Sequence, residues 1–288
     1  MREDYTIAEL CEAFELSRSG YYQWSRREST PRRAQNEILL KEMKRIHEHR
    51  HTRCYGSPRM TVELRERGYA CSENRVARLM ARHGLAAKSR RPFRPKTTQP
   101  DRHVPPAPNH LADAPAVTRP GEALVSDITY VATREGWLYL AVVLDLFSRA
   151  VVGWKIGESL HTDLLLDAFE QSRLQLRPQR GALFHSDRGC QYTSRAFRLR
   201  LEKSGLVQSM SAAGYCYDNA TAESFFATLK AEAFPPGAVF ASKIEARRAI
   251  FDYLETFYNR RRRHSSLAYQ SPEAVLKKHF QNHPTHLN

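Results

Sequence analysis

Residues 184–194, FHSDRGCQYTS, and residues 218–230, DNATAESFFATLK, place Asp187 and Glu223 36 positions apart. Residues 182–184 form a short apolar run that reads as a buried strand, whose end delivers the Asp187 carboxylate to a loop containing Gly189. Further on, Asp218 or Asn219 has the residue type of an N-cap and the Ala-rich stretch after it reads as a helix, so Glu223 falls in or near a first turn. Lys230 follows seven residues later, about two turns, on the same helical face as Glu223. A strand-end carboxylate, a helix carboxylate and a cation on that face suit metal ions and a phosphodiester. Lys230 equally fits a surface lysine paired with Glu223 or another acid.

Working back from this stretch, residues 124–132, 137–144 and 150–156 are rich in β-branched and aromatic side chains and read as an antiparallel meander. A helix over 162–176, the strand into Asp187, a helix over 194–203, a strand over 207–211 and the helix bearing Glu223 complete the order βββαβαβα. That order describes an α/β core, a mixed five-stranded sheet with helices packed on it. Asp127 interrupts the first strand in VSDITYV (125–131), where a polar residue on a central strand needs a reason. Asp145, at the turn in LDLFSRAVVGW (144–154), has the simpler reading of a turn residue bonding local backbone. His185 reads as a residue bonded to backbone, and Asp218 as a cap.

Charge points to the partner. The 288 residues carry 45 Lys and Arg against 31 Asp and Glu, a net +14. Residues 1–120 hold 24 basic and 14 acidic residues, net +10, and residues 121–288 hold 21 and 17, net +4, so the excess lies outside the part that carries the candidate carboxylates. A polyanion is the matching partner. Residues 1–33 read either as a helix-turn-helix or as a helical hairpin whose aromatics Tyr21, Tyr22 and Trp24 are core. Residues 34–91 read as a helical DNA-binding domain: Ser57-Pro58 opens a helix, Gly68 ends it, Ser72 caps the next and Gly84 closes that one. Arg75, Arg78 and Arg82 run along the second helix of this pair, followed by Arg90 and Arg91. Residues 92–121 are a Pro-rich basic linker, residues 122–235 the catalytic core, and residues 236–288 a helical, basic extension. Four consecutive arginines, Arg260, Arg261, Arg262 and Arg263, read as phosphate contacts; a solvated helix end accounts for one or two of them but hardly for all four.

Other classes recede. Five scattered cysteines without a C-x-x-C pair argue against a disulfide framework and suit a reducing cytosol. HEHRH (47–51) with Cys54 and Cys71 lacks the spacing of a closed zinc site. No run approaches 18 apolar residues and the N-terminus lacks the apolar segment of a signal peptide, so a soluble, cytoplasmic, nucleoid-associated protein is expected.

With Asp127, Asp187, Glu223, HSDRGCQY, DNATAESFFATLK and YNRRRRHSSLAYQSP on the page, the chain resembles bacterial insertion-sequence transposases with a DDE catalytic core, which is similar to retroviral integrase and RNase H. The 35 residues between Asp187 and Glu223 and the basic residue seven positions after the glutamate match that family's most specific spacing. The resemblance implies an RNase H-like core, double-stranded DNA at transposon ends and target as partner, and a homo-oligomer on DNA. It further implies two Mg²⁺ or Mn²⁺ ions held by Asp127 as bridging ligand and by Asp187 and Glu223 on one ion each. Fusion to a small upstream DNA-binding protein by frameshifting is also a family habit. Two positions depart from the pattern: Leu124 stands where a Trp is usual, and Ala212 and Ala213 stand where a basic residue is usual. A DNA-binding regulator with a dead core and a structure-selective nuclease are the alternatives on the same fold.

Overall fold

The computed structural model describes residues 5–25, 30–87, 107–112, 114–211 and 219–283. The chain divides into two compact units, Met1–Ala86 and Ala87–Asn288.

The first unit is all helical: α1 (Ile7–Ala13), α2 (Arg18–Ser25), α3 (Pro31–Glu48), α4 (Ser57–Glu66) and α5 (Glu73–Arg82). Its core is the apolar stripe Leu39, Met43 and Ile46 of α3, packed on Met60 and Leu64 of α4 and Val76, Leu79 and Met80 of α5. The turn between α4 and α5 needs Gly68, whose φ of 87° lies in the left-handed region, and the Ser72 hydroxyl accepts the Arg75 N–H to start α5. The α1–α2 hairpin is different. Thr6 and Glu9 form a capping box, but Cys11 is its one fully buried side chain, while Tyr22 and Trp24 are exposed. The reading as core therefore does not hold for Tyr22 and Trp24, while Tyr21 is half-buried.

The second unit is built on a mixed sheet: β1 (Ala123–Thr133), β2 (Gly136–Asp145), β3 (Val151–Gly157), β4 (Leu183–Ser186), β5 (Val207–Met210) and β6 (Val239–Phe240). The strand order is β3-β2-β1-β4-β5, with β6 also pairing β1. The first three strands form the expected meander, and β4, β5 and β6 run parallel to their neighbours. Helices α6 (Thr162–Leu176), α7 (Cys190–Thr193), α8 (Arg195–Lys203) and α9 (Ala220–Ala233) connect and cover the strands. α10 (Lys243–Phe251), a π-helical segment (Asp252–Tyr258) and α11 (Pro272–Asn282) follow. One core cluster joins Leu124, Ala141, Val143 and Val152 of the sheet to Leu165, Phe169, Phe197 and Leu201 of the helices. Leu124, where the resembled family usually has Trp, is fully buried in it. Gly153 sets how closely α6 lies on β3, since a Cβ there would stand 2.0 Å from the Ala168 carbonyl oxygen. β6 and the π-helical segment were not foreseen.

Candidate active site

β1 is longer than any of its neighbours on one side. β4 pairs it at residues 123–125 and β6 at Ala132 and Thr133, and Asp127 lies in the gap between them. In that gap the Ile128 N–H donates to Asp127 Oδ1 at 2.7 Å. Val125 is the last β1 partner of His185. Two residues beyond each of them along parallel strands stand Asp127 and Asp187, and a step of two keeps a side chain on one face of a sheet. Register thus brings together two acids 60 positions apart in the chain. Asp187 Oδ1 accepts the Gly189 N–H at 2.9 Å, and a Cβ on Gly189 would press to 3.1 Å from that same oxygen.

The third acid comes from α9, which packs on β1. Glu223 lies in its first turn and is exposed, where the helix dipole favours negative charge. Asn219 takes the N-cap position without a side-chain cap bond; Asp218, Ala212 and Ala213 lie outside the described residues.

Electrostatics ties these groups into one site. The half-exposed Asp127 carboxyl is set deep enough among its neighbours to be pushed up to about 8. Burial is the largest cause, the Asp187 charge comes next and Glu223 adds to it, while the Ile128 N–H and the Lys230 ammonium pull the other way. Burial lowers the Lys230 ammonium, and attraction to Asp127 offsets part of that. Lys230 is half-buried, and the acid that bears on it is Asp127. Beneath them Tyr192 is buried, its hydroxyl 2.9 Å from Ser126 Oγ and pushed well above its ordinary value by burial and by the charges of Asp127 and Asp187. Tyr192 was missed in the sequence, where nothing but its place in HSDRGCQY marks it. His185 Nδ1 is 2.9 Å from Ser209 Oγ and Nε2 3.2 Å from Ser211 Oγ, tying β4 to β5 and the residue after it.

The donors are hard oxygens suited to Mg²⁺ or Mn²⁺. Among the described residues no three His, Cys, Asp or Glu side chains are drawn together closely enough to hold an ion as they stand. The charges of Asp187 and Glu223 bear on Asp127, and such repulsion is what a bound divalent cation would relieve. The residues fit the ions in the chemistry of their donors.

The basic residues separate. Arg78 and Arg82 are exposed on α5, but Arg75 is half-buried and its Nε donates to Asn36 Oδ1 at 2.8 Å. Arg90 and Arg91 lie outside the described residues. In the C-terminal run Arg261 is exposed and Arg260 reaches Glu273 at 3.8 Å from an open position. Arg263 is half-buried. Arg262 corrects the expectation of four phosphate contacts: it is 3% exposed and forks onto Glu232, with Nε to Oε2 at 2.7 Å and Nη2 to Oε1 at 2.8 Å.

The integrase core domain matches residues 117–216 and, as a second integrase core description, residues 204–272; the HTH-like domain matches residues 34–93. The transposase InsF for insertion sequence IS3A of Escherichia coli (strain K12) is 37% identical over 283 residues, 96% of each chain. The chain belongs to the InsF family of insertion-sequence transposases. The insertion element IS600 uncharacterized 31 kDa protein of Shigella sonnei is 42% identical over 94% of this chain and 99% of that one. A simian T-cell lymphotropic virus intasome in complex with PP2A regulatory subunit B56 gamma aligns at a TM-score of 0.44 and 13% identity, over 83% of this chain and 74% of that one. The transposase joins an HTH-like DNA-binding domain to an RNase H-like integrase core. Among its described residues no helix is long and apolar enough to cross a membrane.

Proposed function

We propose that this transposase binds the terminal inverted repeats of its insertion sequence and uses Asp127, Asp187 and Glu223 as a DDE site for strand cleavage and strand transfer. The observation that carries the reading is the convergence on Asp127 of two like charges from distant parts of the chain, with Lys230 pulling the other way. Two Mg²⁺ or Mn²⁺ ions held by the three acids would supply an activated water, charge relief on the phosphoryl oxygens and help for the leaving oxygen. The chain's own residues orient the rest. The Gly189 N–H fixes one oxygen of Asp187. Glu223 is exposed at the start of α9, open to an incoming cation. Lys230 holds positive charge beside Asp127 and steadies DNA there. The same site first hydrolyses the strand at the transposon end and then directs the freed 3′-hydroxyl onto a target phosphate, with no covalent protein intermediate. Arg78, Arg82, Arg260, Arg261 and Arg263 serve as phosphate contacts, Arg90 and Arg91 belong to the same set, and pairing of two ends requires a homo-oligomer on DNA. Fusion to an upstream DNA-binding protein goes with the family reading.

A labelled terminal repeat incubated with the transposase and Mg²⁺ tests the reading. Nicked and joined products are expected. Binding without a nick would leave a DNA-binding regulator, and a nick without joining a structure-selective nuclease.

A further inference from the structure

The chemistry of α9 lies on one face, and the opposite face carries a second, unrelated set of bonds. At about 100° per residue, Thr221, Phe225, Thr228 and Glu232 fall in one stripe, and Glu223 and Lys230 fall about 180° to 200° around from Thr221. The stripe is held by the turn after β2 and by the segment from Asp252 onward. Arg149 Nη1 donates to Thr221 Oγ1 at 2.7 Å, and the Arg149 carbonyl accepts the Tyr258 hydroxyl at 3.1 Å. The Tyr258 ring meets the Phe225 ring edge-on at 4.9 Å. Glu232, 5% exposed, takes the Arg262 fork and the Tyr253 hydroxyl at 2.7 Å, and Arg262 Nη1 is 3.2 Å from His264 Nε2. Beyond α9 the segment is tied to the sheet edge as well, since the Asn259 side chain exchanges two hydrogen bonds with the Val151 backbone.

Packing alone does not call for this arrangement. A buried ion pair stabilises no more than apolar residues of the same volume, because both charges lose their water. A bidentate fork adds direction: two parallel bonds fix where one element stands along and around another. Fixing α9 in that way fixes Glu223 and Lys230 over Asp127.

We propose that Arg262 and Glu232 are positioning residues of the transposition reaction, a clamp on the rear face of α9 that sets the placement of Glu223 and Lys230. The inference rests on the DDE reading of Glu223 given above. It assigns to Arg262 a role other than contact with DNA.

Two variants of the full chain test it, Arg262→Lys, which keeps the charge and loses the fork, and the double variant Glu232→Met/Arg262→Met, which replaces the pair with apolar side chains. Each is measured for melting temperature, for affinity and salt dependence on the labelled terminal repeat, and for kcat, KM and cut position. The expected result is affinity within about twofold of wild type and an unchanged salt slope, since no phosphate contact is lost. kcat falls about tenfold or more at unchanged KM, and cuts spread to neighbouring nucleotides, as for a displaced catalytic group. Should the double variant fail to fold, Arg262→Lys decides. Wild-type kcat and cut position in a folded variant would overturn the inference, as would a kcat loss no larger than the fraction unfolded. A salt slope reduced by about one would return Arg262 to the DNA contacts. Failure of the DDE reading looks different: either the wild type itself does not cut, or Glu223→Gln leaves cutting intact.

Discussion

Asp127 in the middle of β1 and Asp145 at the end of β2 are two carboxyls of one hairpin, and both are pushed up by burial. What surrounds them differs. Asp145 is closed in by donors: the Gly121 N–H at 2.9 Å, the Ser148 N–H at 2.8 Å and the Ser148 hydroxyl, with the Phe147 N–H contributing as well. Asp127 has one local N–H, from Ile128, and then two further carboxylates. Donors that satisfy a carboxylate make it part of the fold; like charges that crowd it are what a cation would relieve. The turn reading of Asp145 and the site reading of Asp127 therefore separate on physical grounds that neither burial nor residue type supplies.

The comparison breaks most readily on chemistry. Asp127→Asn, Asp187→Asn and Glu223→Gln each lower cleavage and joining of a labelled terminal repeat by about three orders of magnitude or more while leaving its binding nearly intact, since each removes a ligand and keeps the shape. Substantial activity in any one variant would take that residue out of the site. Folded Asp145→Asn, by contrast, retains measurable cleavage.

Stability sharpens the contrast next. Asp145→Ala strands buried N–H groups and costs about 2–4 kcal/mol in denaturant unfolding. Asp127→Asn without divalent cations does the reverse at neutral to alkaline pH. The folded-state value of Asp127 is raised to about 8, so its contribution is full below the unfolded value of about 3.8 and is lost as pH rises toward 8. In EDTA the wild type should therefore lose stability across that window relative to Asp127→Asn, by on the order of a few kcal/mol. Parallel unfolding curves at every pH would contradict the crowding of Asp127.

Smaller effects test the cations. Lys230→Ala should reduce cleavage about tenfold and blur the cut position with little change in melting temperature; an unchanged rate at the same nucleotide would return Lys230 to an ordinary lysine. Arg78→Ala and Arg82→Ala should each lower the slope of log affinity against log salt by about one, with the site chemistry intact. An unchanged slope would remove that arginine from the DNA-facing set.

The meander, α6 and the strand before Asp187 were legible because alternation and apolar runs report burial directly. The positions of Asp127 on β1 and of Asp187 just past β4 were legible because the apolar runs around them report strands. β6 escaped because two residues carry no period. The π-helical segment escaped because Tyr253, Leu254, Phe257 and Tyr258 give nearly the same apolar spacing as an α-helix. Arg262 was misread because its three neighbours are identical to it in sequence. Only the placement of Glu232, 30 positions away, turns it inward.

The central claim is that Asp127, Asp187 and Glu223 form one cation-binding site and Asp145 does not. Melting of the DNA-free transposase titrated with Mg²⁺ tests it most directly, in the wild type and in four single variants, Asp127→Asn, Asp187→Asn, Glu223→Gln and Asp145→Asn. Mg²⁺ should raise the melting temperature of the wild type and of Asp145→Asn by similar amounts, and that of the other three by much less, as ligand linkage requires. An undiminished rise in Asp127→Asn, or a rise lost only in Asp145→Asn, would contradict it.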